Sequence, residues 1–178
     1  MSDPAPDAVD PCPGCGLELS REDGPRHPYI GASAACWRRF GEILAREFQE
    51  PEWFGLHQVT VDTYASQHPG ELERRSIQSV AVHLMTLAMF LERGLDPALG
   101  PRIHKRMVRP ELRPEFTWLE PPGPEAMGER MNVVDVLTAR DPVAHERLIR
   151  RWAADVWDAW SPHHETVRGW IDASLPGD

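Results

Sequence analysis

The cysteines of this chain constrain it most. All three lie near its start: Cys12-Pro13-Gly14-Cys15-Gly16, with twenty residues between Cys15 and Cys36. A Cys-x-x-Cys loop with proline and glycine inside it and glycine after it has the shape of a metal knuckle. Its two thiolates can face one ion while nearby backbone N–H groups point at the sulfurs. Zinc takes about four nitrogen or sulfur ligands in a tetrahedron. Three cysteines leave one position, closed by a histidine in a structural site or by water in a catalytic one. The donor type favours zinc, although a thiolate-rich set also suits iron or copper. A redox pair would want the thioredoxin order of strand, motif and helix, which is missing. An odd number of cysteines argues against a disulfide framework. Three separate thiols with no metal are the plain alternative.

Helix signals nominate the fourth ligand. Ser33 is placed to cap a helix running from Ala34 to Gln49, with Cys36 in its first turn. Glu50-Pro51 ends that helix, and a second runs from about Glu52 to His68, stopped by Pro69-Gly70. So short a connection favours antiparallel neighbours. Folded about Pro51, position 36 lies level with positions 66 to 68, so His68 comes near Cys36. His57 shares the face of His68 but lies ~16 Å along the axis. The expected ligand set is therefore Cys12, Cys15, Cys36 and His68. His27, inside the loop between the cysteines, is the rival for the fourth place.

The remainder of the chain reads as helical. Residues 1–11 hold three prolines and three aspartates and are expected to be a disordered leader. Residues 12–36 form the knuckle, and residues 37–175 a helical bundle packed with it as one domain. The segment from Arg74 to Arg93 is apolar nearly all round, as a central helix is, and Gly94 caps it. Asp96-Pro97, Asp141-Pro142 and Ser161-Pro162 each start a helix, and Asn132 caps a short one. A Pro-rich crossing at 109–131, anchored by Trp118 and Leu119, joins the halves. No segment alternates in polarity like a strand. The fold class is all-α, a bundle of about six helices with an N-terminal zinc-knuckle-like loop.

Charge and hydropathy exclude some functions. Net charge is −9, which argues against a broad phosphate-binding face and hence against a nucleic-acid partner. The longest apolar run, Val80 to Leu91, is interrupted by His83 and Thr86 and is too short for a bilayer. No basic and apolar leader opens the chain. A cytoplasmic protein with a protein or small-molecule partner is expected.

A second polar site is suggested by His83 on the apolar helix. An antiparallel hairpin about Glu71 brings His57 within a turn of His83, with Asp62 nearby, and bundles build metal sites from facing side chains in this way. His163 and His164 add imidazoles in the first turn of the last helix. The plain alternative is that these are a bonded core histidine and surface residues.

These residues resemble an uncharacterised bacterial family, a domain of unknown function. The resemblance rests on Cys-Pro-x-Cys-Gly, on a third cysteine opening a helix, and on His57-Gln58-x-Thr60-Val61 with Tyr64 and Gln67-His68-Pro69. Leu91-Glu92-Arg93-Gly94-x-x-Pro97 completes it. It covers about the first hundred residues and implies a small, mostly helical, metal-binding protein without supplying an activity. Members of that family have a shorter segment between the second and third cysteines, which suits His68 over His27, and His83 is not part of their pattern. At the level of fold alone the chain is also similar to the DinB-like metal-dependent transferases and hydrolases, which set three histidines on a four-helix bundle. The expected function is a zinc-binding helical protein whose ion is mainly structural. The alternative is a metal-dependent enzyme with a His-lined pocket.

Overall fold

A computed structural model describes residues 9–112 and 114–175. Its helices are α1 (Ala34–Gln49), α2 (His57–Gln67), α3 (Arg74–Glu92), α4 (Gly100–Met107), α5 (Pro124–Gly128), α6 (Val133–Leu137), α7 (Pro142–Ala159) and α8 (His164–Ser174). The fold is all-α apart from one small sheet. Short 3-10 turns lead into three helices, at Pro51–Leu56 before α2, Pro97–Leu99 before α4 and Ser161–His163 before α8. Each begins at or beside a proline, whose fixed φ suits a first helical turn.

The caps explain the starts. The Ser33 hydroxyl accepts the Cys36 N–H at 3.2 Å. Asp141 Oδ1 accepts from Ala144 N at 2.8 Å. Asn132 and Asp135 form a reciprocal capping box at the head of α6. Each satisfies a helix-start donor that would otherwise lack a partner.

The knuckle contains a two-stranded antiparallel ribbon, β1 (Val9–Pro11) against β2 (Glu18–Ser20), where no strand was expected. Three-residue strands are too short to show alternation, and the Gly16 turn between them makes the pairing: its φ of 70° needs glycine. Part of the leader, residues 9–11, is therefore ordered. Residues 1–8 lie outside the described residues.

The core centres on α2, which packs against α3 and α7, while α8 lies on α3 and α4 and α1 lies on α6. Leu84, Met85 and Leu87 on α3 are fully buried, each contributing roughly 1.5–3 kcal/mol of transfer free energy. α2 is the surprise. It is buried on almost every side, yet it is polar: Thr60, Asp62, Thr63, Ser66 and Gln67 have no exposure. Hydropathy therefore nominates α3 as the centre when α2 shares that place.

Buried polar groups require partners, and α7 supplies several. The indole of Trp152 donates to Gln67 Oε1 at 2.9 Å, and that of Trp160 to the Ser66 carbonyl at 3.0 Å. Gln67 Nε2 in turn donates to the Met131 carbonyl at 2.8 Å. These bonds fix the C-terminal end of α2, where His68 stands. Within the proline-rich crossing Leu119 is buried, and Phe116 meets Trp170 edge to face. Trp118 instead bonds the exposed Glu120.

Candidate metal centre

Cys12, Cys15, Cys36 and His68 converge, with one donor atom from each lying within 4.8 Å of the others. Three pieces of chain supply them: the knuckle loop gives the first two, the first turn of α1 the third, and the C-cap of α2 the fourth. Cys15 Sγ lies 3.9 Å from Cys36 Sγ, and Cys36 Sγ lies 3.3 Å from His68 Nε2. Two thiolates on a tetrahedral zinc sit ~3.8 Å apart and a thiolate and imidazole ~3.6 Å. The cysteines are not bridged to one another.

The surroundings orient the donors. His68 Nδ1–H donates to the Tyr64 carbonyl at 2.8 Å. That bond fixes the tautomer and leaves Nε2 facing the sulfurs. The Ser33 N–H points at Cys12 Sγ at 3.4 Å, and the Tyr64 hydroxyl at Cys36 Sγ at 3.6 Å. Tyr64 itself is stacked between Phe40 and His68. The knuckle is laced to α2 by the backbone as well, through Gly31 N–H to the His68 carbonyl at 2.9 Å and a bridge between Ile30 and Pro69. Gly14 sits so close that a Cβ there would fall 2.8 Å from the His68 Cα.

The electrostatics follow from burial and crowding. Hydrogen bonds from Cys15 and Cys36 push the Cys12 thiol far below its ordinary value, against the opposing effect of burial. Cys36 is driven the other way by its bonds to Cys12 and Cys15 and by burial. Burial would lower the His68 imidazole, but bonds to Cys12 and Cys15 outweigh it and raise the group to about 9. A thiolate is stabilised among neighbours that resist ionising, and a cation in their midst would relieve that conflict.

His27 is not in the cluster. Its ring lies 4.3 Å from that of Tyr29 and 5.3 Å from that of Trp37.

The second set of candidates is rearranged. His57 and His83 do not meet. On α2, positions 57 and 62 are five residues apart, or about 140° around the axis, so they face different neighbours. His57 Nδ1 turns to Glu47 Oε2 at 2.8 Å. Glu47, on α1, also accepts from Thr60 at 2.5 Å and from His145 Nε2 at 3.0 Å. Burial would raise its carboxyl, but the bonds to His145, His57 and Thr60 hold it below the usual carboxylate range. Asp62 faces α3 and α4 instead. His83 Nδ1 donates to Asp62 Oδ1 at 2.6 Å, and His104 Nε2 lies 3.0 Å from the same oxygen. Burial works against ionising Asp62, yet the close imidazoles of His104 and His83 keep its carboxyl low.

His163 and His164 are elsewhere. The first donates to the Glu120 carbonyl, the second to the Trp157 carbonyl while stacking on the Trp157 indole. His104, Glu47 and His145 were missed by reading the sequence. The register of α4 puts Ile103 and Met107 against the core and His104 beside them, the single weak signal available.

Fold and cluster together define a helical protein with a buried Cys3His group able to hold a metal ion. The chain belongs to a family of unknown function (DUF5946), whose family model matches residues 10–161. No curated protein and no solved structure matches it. Among the described residues no helix is long and apolar enough to cross a membrane.

Proposed function

We propose that Cys12, Cys15, Cys36 and His68 hold one zinc ion, and that the ion is structural. It fastens the N-terminal knuckle to the end of α2. Closure of the cluster carries this reading: Cys12, Cys36 and His68 have 0% exposure and Cys15 has 1%. A catalytic zinc keeps a position open to water or substrate, whereas a structural one is surrounded by protein donors. Here Tyr64 and the Gly14 backbone close around the donors. Three thiolates and one imidazole suit zinc better than harder cations. A reducing cytoplasm is the compartment in which such thiols stay unbridged. A protein of this kind works through a protein or small-molecule partner and not through chemistry at the ion.

Elemental analysis of the purified chain should find one zinc per molecule. Cys15→Ser should lose it and lose at least about 4 kcal/mol of stability, because metal-binding free energy is part of folding free energy. Retention of both zinc and melting temperature by that variant would remove the reading.

A further inference from the structure

Asp62, His83 and His104 form a second group of donors within 4.8 Å of one another. Three helices supply them: α2, α3 and α4. Asp62 is completely buried, and its two oxygens are treated very differently. Oδ1 faces three nitrogens: His83 Nδ1 at 2.6 Å, His104 Nε2 at 3.0 Å and Gln58 Nε2 at 3.1 Å. Oδ2, equally sealed from water, has no partner. The His104 Nε2 atom is also buried and, despite its distance, makes no aligned hydrogen bond. Buried polar atoms left without partners are uncommon and call for an explanation such as an ion. Two imidazoles and one carboxylate converging from three helices match the facial donor set that holds divalent transition metals with open positions. Ligand atoms ~2.1 Å from an ion and at right angles to one another lie ~3.0 Å apart. The 3.0 Å between His104 Nε2 and Asp62 Oδ1 already has that spacing.

Unlike the sulfur centre, this group reaches solvent. His83 and His104 are 17% and 21% exposed at their side chains. His83 also lines a cleft of about 620 Å³, together with Tyr29, Arg74, Arg75, Ser79 and Val108. Of the three donors His83 borders this cleft, and two arginines on its wall favour an anionic guest, since guanidinium groups pair with oxyanions.

We propose that Asp62, His83 and His104 bind a second divalent transition-metal ion, whose open coordination positions face the cleft and take an oxyanion-bearing ligand steered by Arg74 and Arg75. The site shares no donor with the sulfur centre, so it stands or falls separately.

The test uses the full chain with its sulfur centre already zinc-loaded. Co2+ is added and followed by calorimetry and visible absorption. One further ion should bind per chain and give weak ligand-field bands with no sulfur-to-cobalt charge transfer. Asp62→Asn and His104→Gln should each weaken that binding at least about tenfold while keeping the zinc and the helical circular dichroism. His104 lies on a short, partly exposed helix, so its variant decides the matter should Asp62→Asn fail to fold. Inorganic phosphate, added to the cobalt-loaded protein, should shift the bands, and Arg75→Ala should weaken that response. Failure to take up a second ion, a charge-transfer band from sulfur, or unaltered Co2+ affinity in the folded variants would overturn the metal site. Unshifted bands at saturating phosphate would overturn the oxyanion assignment.

Discussion

Asp62 on α2 and His68 at its C-cap stand six residues apart, and each anchors a cluster of donors, but the clusters differ in what surrounds them. Around His68 the donors are soft, sealed from water and individually oriented: an N–H on Cys12, a hydroxyl on Cys36, a carbonyl on the imidazole. Around Asp62 they are harder, partly wet and incompletely satisfied. Glu47 provides the control. It too is a fully buried carboxylate between two imidazoles, yet both its oxygens are served. In the Glu47 cluster both carboxylate oxygens are paired and the unpartnered buried atom is an imidazole nitrogen, His145 Nδ1. At Asp62 it is a carboxylate oxygen, Oδ2, that lacks a partner, and an orphaned anion oxygen points to a cation from outside the chain.

The contrast predicts unequal consequences. Stripping metal from the sulfur centre with a strong chelator should cost at least about 4 kcal/mol in denaturant unfolding. Removing an ion from the Asp62 centre should leave the fold and most of its stability in place. Equal losses from the two would erase the distinction between them.

Smaller effects separate the two carboxylates. Glu47→Gln should cost about 2–3 kcal/mol, since hydrogen bonds to a charged group are the strong ones. Asp62→Asn, measured without added metal, should cost less, about 1–2 kcal/mol, because only Oδ1 has hydrogen bonds to weaken. Acid sharpens the same comparison. The folded state holds the Glu47 carboxyl below its ordinary value, so the folded chain binds fewer protons than the unfolded one. That part of the stability is complete above the ordinary carboxylate range and drains as pH falls through it towards the lower, folded value. Glu47→Gln should flatten this acid limb in urea titrations at stepped pH. An unchanged limb would mean that Glu47 is not the group responsible.

Legibility in the sequence divides along the same line. The sulfur cluster could be reasoned out because cysteines are few, Ser33 and Pro51 mark helix boundaries, and a tight hairpin sets positions 36 and 68 level. The helices were likewise readable from their Asp-Pro, Ser-Pro and Asn starts. The polar face of α2 was not. Asp62 was expected near His83, but nothing in the sequence marks Thr60, Ser66 and Gln67 as buried before their partners Glu47, Trp160 and Trp152 are in place. His57 and His83 were expected to meet because a hairpin fixes level but not direction around the axis. His104 escaped notice because its helix is short and its neighbours Arg102, Lys105 and Arg106 look like an exposed basic stretch.

X-ray absorption at the zinc edge of the native protein, carrying one equivalent of metal, tests the central claim most directly. The expected spectrum has three sulfur ligands at ~2.3 Å and one nitrogen at ~2.0–2.1 Å. A first shell of nitrogen and oxygen alone would contradict it, placing the tightly held ion away from Cys12, Cys15 and Cys36.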